Sequence, residues 1–140
     1  MNTVRVFAYG TLITRARSSV VADILDTCLV GYQEASVRGR LYDLGPYPGL
    51  KPAARRRECA YGQILELRSP ERSLSALDDY EDYDPRRPTA SPYRRRWSRV
   101  ALAAGGYVHA WVYWYQGPMQ RAQRIPHGDW RRWANAGATD

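Results

Sequence analysis

Tyr93-Arg94-Arg95-Arg96-Trp97-Ser98-Arg99-Val100-Ala101-Leu102-Ala103 and Tyr107-Val108-His109-Ala110-Trp111-Val112-Tyr113-Trp114-Tyr115 are the two stretches that decide the architecture. The second is rich in β-branched and aromatic residues, and neither repeats at helical spacing. They read as long strands. The Gly105-Gly106 pair between them marks a hairpin, because tight hairpin turns need backbone angles that glycine adopts without strain. In the second strand Trp111, Tyr113 and Tyr115 fall on one face and Val108, Val112 and Trp114 on the other. With bulk on both faces, this strand is expected to be central and covered on both sides.

Towards the N-terminus the pattern alternates between such strands and two helices. Ser69-Pro70-Glu71 is a helix start, with a serine cap, proline in first place and an acid in the first turn. The helix is expected to run to about Tyr80 and to bury Leu74 and Leu77. Before it, Cys59–Leu67 and Ala35–Leu44 read as strands, with Gly45-Pro46-Tyr47-Pro48-Gly49 as a rigid loop. Between Ser18 and Leu29 the apolar residues Val20, Val21, Ile24, Leu25 and Cys28 recur at helical spacing, with Ser18 or Ser19 as the cap. The chain opens on a strand, Val4–Ala8, that runs into Tyr9-Gly10, where glycine can take angles other residues avoid. The tail beyond Gly117 is polar, and the last ten residues or so are expected to be disordered. The fold class is therefore α+β. It is a mixed, strongly curled or barrel-like sheet of about five to six strands with flanking helices, in one domain over 1–140.

Composition narrows the function classes. Hydrophobic residues make up 44% and charged residues 25%, as in an ordinary globular protein. No apolar run reaches the ~20 residues of a membrane span. Val4–Ala8, interrupted by Arg5, is too short for a secretory signal, so the expected location is cytoplasmic. Cys28 and Cys59 lack metal-ligand spacing and read as free thiols, while His109 and His127 form no ligand motif. Neither a metal nor a cofactor is expected. The net charge of +7 comes almost wholly from arginine, including Arg55-Arg56-Arg57 and Arg94-Arg95-Arg96. That raises nucleic acid as a partner. Without a zinc finger, an RNP pattern or a GXXG clamp, a solvated basic surface is the better reading.

Three segments carry the chemistry. They are Phe7-Ala8-Tyr9-Gly10-Thr11-Leu12, then Gly39-Arg40-Leu41-Tyr42-Asp43-Leu44 with Tyr47-Pro48-Gly49-Leu50, and Leu77-Asp78-Asp79-Tyr80-Glu81-Asp82-Tyr83-Asp84-Pro85. Tyr93-Arg94-Arg95, Ala110-Trp111-Val112-Tyr113 and Ile125-Pro126-His127-Gly128-Asp129-Trp130 follow in register. Together they resemble the γ-glutamylcyclotransferase-like (AIG2-like) family over about residues 3–130. The resemblance implies a barrel-like fold and a cofactor-free reaction on a small-molecule γ-glutamyl compound. In it, the α-amino group attacks the γ-carbonyl, giving 5-oxoproline and a free amine or amino acid.

Glu81 stands at the family's catalytic glutamate. One carboxylate can take the proton from the attacking ammonium and return it to the leaving amine, provided its pKa is raised. Tyr80 and Tyr83 are expected to desolvate it, and Asp78, Asp79, Asp82 and Asp84 to add like charge. By the same resemblance, Tyr9, Gly10, Thr11 and Leu12 hold the γ-glutamyl part, and Tyr93 and Tyr115 line the cavity. The strand-end glycine turn has free backbone N–H groups suited to an anion. Two positions depart from the family pattern. Ile13-Thr14-Arg15 replaces a basic residue followed by glycine, and Asp82 replaces a glycine. A non-catalytic binding protein on the same fold and an arginine-rich nucleic-acid module are the alternatives.

Overall fold

The computed structural model describes residues 2–10 and 19–138. Its elements in order are β1 (Thr3–Ala8), α1 (Ser19–Cys28), β2 (Leu29–Asp43), β3 (Pro48–Pro52), β4 (Cys59–Arg68), α2 (Pro70–Tyr80), β5 (Tyr93–Leu102), β6 (Tyr107–Tyr115), β7 (Gln123–Ile125) and α3 (Trp130–Ala138). The sheet runs β3-β2-β4-β1-β6-β5, and β2 also pairs with β5, at Ala35↔Leu102 and Ser36↔Ala101. That last pairing closes β2, β4, β1, β6 and β5 into a barrel, which removes open strand edges.

The sequence reading needs correcting in four details. β2 begins directly after α1, at Leu29 rather than Ala35, so Gly31 lies inside it. Its far end pairs with β3 on one side and β7 on the other, Leu41 meeting both Leu50 and Ile125. The proline-glycine loop is shorter than read, because Pro48 and Gly49 already belong to β3. Ser69 precedes α2 as expected, but its backbone is left-handed (φ 52°) and its side chain makes no capping bond. The main-chain carbonyl of Ser69 accepts the Ser73 N–H at 2.9 Å as the first bond of the helix. Among the described residues the strands total seven and the helices three, because β3 forms from the end of the proline-glycine loop and β7 and α3 arise in the polar tail.

Alternation along the strands sends residues to two cores. One face, with Phe7, Val37, Ile64, Val100, Ala110 and Val112, fills the barrel, where Trp130 of α3 joins it. The other face, with Val4, Val6, Ala8, Leu65 and Leu67, is covered by Val21, Ile24, Leu25 and Cys28 of α1 and Leu77 of α2. β6 lies between β1 and β5, and its middle is buried on both faces, as its bulk implies. The hairpin turn is the expected one, with Gly105 and Gly106 at φ 113° and 81°. Both cysteines are free, Cys28 buried and Cys59 half-buried. Among the described residues no helix is long and apolar enough to cross a membrane.

A carboxylate ties the β3–β4 connection to the barrel. Glu58 accepts hydrogen bonds from the backbone N–H of Ala54 (2.8 Å) and Arg55 (2.6 Å), and from Arg40 Nε and Arg124 Nη2 at 2.5 Å each. Arg40 is thus engaged within the protein. Burial by itself would raise the Glu58 pKa, but the Arg55 amide, Arg40 and the Ala54 amide outweigh it and hold it at about 2. A carboxyl whose folded pKa lies below its unfolded value stabilises the protein above about 4.5, and that contribution is lost as pH falls towards 2. Glu58→Gln is therefore expected to lower Tm at pH 7 and to flatten its acid dependence between pH 5 and 2. Thermal melts over that range check both expectations.

Candidate active site

Glu81 is the last residue of helical character in α2, and the way this helix stops aims it. Its own N–H donates to Leu77 O (2.9 Å), Asp82 N–H to Asp79 O (3.2 Å) and Tyr83 N–H to Asp78 O (2.8 Å). This is the Schellman pattern, and it requires a left-handed residue just past the cap. Asp82 fills that place at φ 53°. The geometry explains why a glycine suits the position and why aspartate, one of the few other residues at ease there, can stand in.

The turn brings Glu81 against a cavity of about 20 Å³, lined also by Phe7, Ala8, Tyr9, Gly10, Tyr47, Pro48, Tyr93 and Tyr113. Four elements and a loop meet here: the end of β1, the loop before β3, the starts of β3 and β5, and β6. The residue as a whole is half-buried, yet its carboxyl faces this cavity rather than open water. Burial is the main reason its pKa is pushed up to about 8, and the neighbouring Asp82 charge adds to it.

The desolvating aromatic rings differ from those expected. Tyr9 arrives from the turn after β1, and Tyr93 and Tyr113 from β5 and β6, whereas Tyr83 lies over the Arg95 guanidinium at 5.8 Å. Nor do the nearby acids act as one cluster. Asp78 is held by Arg95, and Asp84 accepts the Arg86 N–H at 2.9 Å. Asp82 is the neighbour that raises the Glu81 pKa. Asp82→Asn and Asp82→Gly should both move Glu81 ionisation to lower pH, as read by carboxyl-carbon NMR. Only Asp82→Gly relieves the left-handed backbone as well, and it should stabilise the fold by about 1 kcal/mol or less.

The tyrosine hydroxyls decide what the cavity can bind. Tyr9 donates its proton to Tyr113 O (2.5 Å), Tyr93 to Pro48 O (2.6 Å) and Tyr113 to Asp78 Oδ1 (2.6 Å). Each phenol has one proton, and each is committed to the protein. What they can turn towards a ligand is lone pairs. Their pKa values are all raised, by burial first, so they remain neutral at physiological pH. For Tyr9 and Tyr93 the Glu81 charge contributes, and for Tyr113 both Asp78 and Glu81 do. A site made of phenolic lone pairs and a carboxyl that ionises near pH 8 suits a group rich in N–H donors, such as an ammonium, and can take a proton from it.

Of the residues marked from sequence, Glu81, Tyr9, Gly10 and Tyr93 meet at this cavity. Thr11 and Leu12 lie outside the described residues, as does Ile13-Thr14-Arg15. Tyr115 stands behind Tyr93, ring centroids 5.2 Å apart, with its hydroxyl given to Pro118 O at 2.7 Å. Gly10 is present for space rather than for an unusual angle. Its φ is not positive, and a Cβ there would sit 2.6 Å from Pro48 Cγ. Tyr47 and Tyr113 stand in the motifs quoted above but are not marked there as site residues. A tyrosine on a strand buried on both faces was the available signal for Tyr113, since a buried hydroxyl must find a partner.

The family model described as "Gamma-glutamyl cyclotransferase, AIG2-like" matches residues 6–132. A Vibrio cholerae protein named "Putative gamma-glutamylcyclotransferase" is 31% identical over 125 residues, covering 89% of this chain and 93% of that protein. Among solved structures, an AIG2-like protein from Mus musculus superposes with a TM-score of 0.67 at 24% identity, covering 92% of this chain and 88% of that one. YkqA from Bacillus subtilis reaches 0.72 at 19% identity over 99% of this chain, which spans only 44% of YkqA. The family-model match over residues 6–132 and the 31% identical relative show that the chain belongs to the AIG2-like gamma-glutamyl cyclotransferase family.

Proposed function

We propose that this protein cyclises a γ-glutamyl amine or peptide to 5-oxoproline, releasing a free amine or amino acid, with Glu81 as general acid and base. The observation that carries the reading is the Glu81 carboxyl, held at about pKa 8 on a cavity whose tyrosines offer lone pairs. A pKa near that of an α-amino group is what a single carboxyl needs to take a proton and hand it back. The substrate ammonium donates hydrogen bonds to the phenolic oxygens and one proton to Glu81. The freed nitrogen attacks the γ-carbonyl carbon, forming the ring C–N bond. The resulting oxyanion is stabilised by backbone N–H groups of the turn at Gly10. Glu81 then protonates the leaving nitrogen as its bond to the γ-carbon breaks, takes the second proton from the ring nitrogen, which becomes the lactam N–H, and passes it to the released amine. The proton balance closes on Glu81, and because the nucleophile belongs to the substrate, proximity supplies much of the rate.

The cavity as it stands has room for about one water molecule. A γ-glutamyl group must therefore displace part of its wall on entry. The test is incubation of the purified protein with a panel of γ-glutamyl amines and dipeptides, followed by mass spectrometry for 5-oxoproline. Formation of 5-oxoproline from any member, with equimolar release of its amine, supports the reading. Binding of such compounds without 5-oxoproline from any of them would leave a small-molecule binding protein on the same fold.

A further inference from the structure

Behind the cavity wall lies a second charged group that the proposed acid–base chemistry does not use. Arg95 on β5 grips Asp78 on α2 with two bonds, Nε to Oδ1 at 2.8 Å and Nη2 to Oδ2 at 3.1 Å. Both side chains are largely buried, 15% and 8% exposed. The guanidinium also lies over the Trp111 ring, 4.4 Å from its centroid, and faces Tyr83 on the other flank. Such a pair, desolvated and fixed in plane, differs in kind from a mobile surface bridge. The Asp78 oxygen taken by Arg95 Nε also accepts the Tyr113 hydroxyl at 2.6 Å. Tyr113 in turn lines the cavity with Glu81.

We propose that the Asp78–Arg95 pair is a positioning device for Glu81: it holds the Tyr113 proton turned away from the cavity, so that Tyr113 presents lone pairs to Glu81 and not a competing donor. Arg95 also offsets the Asp78 charge, which stands one turn before Glu81 on the same helix. The proposal rests on the cyclotransfer reading for its purpose, but not for its geometry. The groups facing Glu81 are Tyr9 from the turn after β1, Tyr47 from the loop before β3, Tyr93 from β5 and Tyr113 from β6. Asp78, Asp79 and Asp82 belong to its own helix and turn, and Arg95 is the cation behind Tyr113. Removing either member of the pair leaves the other uncompensated, and the two losses have opposite signs. With Asp78→Asn, the Tyr113 hydroxyl keeps an acceptor, but the unpaired Arg95 favours the Glu81 carboxylate. With Arg95→Met, an unpaired Asp78 carboxylate disfavours it.

The experiment follows Glu81 directly by carboxyl-carbon NMR of protein labelled at glutamate, its signal assigned by its absence in Glu81→Gln. The Glu81 midpoint is expected to fall by about one pH unit in Asp78→Asn and to rise by about one in Arg95→Met. In the double variant it should return to within about half a unit of wild type. Arg95→Lys, which keeps the charge without the fork, should leave the midpoint near wild type. If Arg95→Met does not fold, the isosteric Asp78→Asn decides alone. No shift, or shifts of the same sign in both single variants, would overturn the proposal and leave the pair a structural brace. The pH dependence of kcat/KM should move with the midpoint. Opposite NMR shifts in a protein that forms no 5-oxoproline would uphold the positioning role and reject the cyclotransfer reading.

Discussion

Glu81→Gln is expected to reduce 5-oxoproline formation by about a thousandfold or more while leaving the fold intact. Glutamine matches the shape of the protonated carboxyl but neither accepts nor returns a proton, so both proton transfers lose their agent. Positioned acid–base groups are typically worth 10²–10⁴-fold, and here one group serves two steps. The same variant should be more stable than wild type at alkaline pH. A carboxyl whose folded pKa lies at about 8, against about 4.5 when unfolded, costs stability once it is ionised in the unfolded chain. That cost is absent below pH 4, grows between about 4.5 and 8, and is complete above 8. Its full size is on the order of a few kcal/mol. Melting temperatures of the two proteins should thus coincide near pH 4 and separate by pH 8.5, the variant higher. A variant that melts lower than wild type at pH 8.5 would mean that the Glu81 carboxyl is not held in a desolvated place. The activity result and the stability result are independent, and together they distinguish a functional burden from a structural asset.

What could be read in the sequence divides along the range of the forces involved. Strand alternation, the Gly105-Gly106 turn and the helix start at Pro70 follow from near neighbours, and the structure places them as read. The closure of the barrel does not, since it depends on Ala35 and Ser36 meeting Leu102 and Ala101 across more than sixty residues. β7 and α3 were hidden for a related reason. Gln123–Ile125 is a strand because β2 extends past the barrel and offers Leu41 and Tyr42 as partners, not because of its own composition. The site shows the same division. Glu81 was identifiable from its motif, and the left-handed turn behind it explains why Asp82 is acceptable there. Asp82, whose charge adds to the shift, was among the acids read. That Tyr9, Tyr93 and Tyr113 enclose the carboxyl was not, because they come from the turn after β1 and from β5 and β6. Proximity in sequence pointed to Tyr80 and Tyr83 instead. Local acidity misled in the same way, since Asp78 belongs with Arg95.

Gly10→Ala tests whether the cavity wall is as close-built as the structure has it. In an ordinary loop with a permissive backbone, glycine to alanine stabilises by roughly 0.4–1 kcal/mol through the unfolded chain. Gly10 has such a backbone, because its φ is not positive. The expected sign is nonetheless the opposite. A Cβ at Gly10 would lie 2.6 Å from Pro48 Cγ and 2.9 Å from its Cδ, and a ring closed onto the main chain cannot swing aside. Pro48 is also the acceptor for the Tyr93 hydroxyl at 2.6 Å, so any displacement passes to a second wall of the cavity. Overpacking of this kind costs about 1–3 kcal/mol. For a 140-residue chain that is a fall in Tm on the order of 4 °C per kcal/mol. Misplacing cavity groups by about an ångström should also cost turnover near a hundredfold. Adding Pro48→Ala removes the two ring carbons while keeping the carbonyl that Tyr93 uses. The double variant should therefore recover most of the lost stability relative to Pro48→Ala alone, a coupling that independent sites would not show. If Gly10→Ala is neutral or stabilising, the contact with Pro48 is looser than drawn and glycine has no steric reason to be there. If it destabilises with no coupling to Pro48, the strain lies elsewhere in the turn. Coupling in stability together with recovered turnover would show that Gly10 and Pro48 jointly set the width of the site.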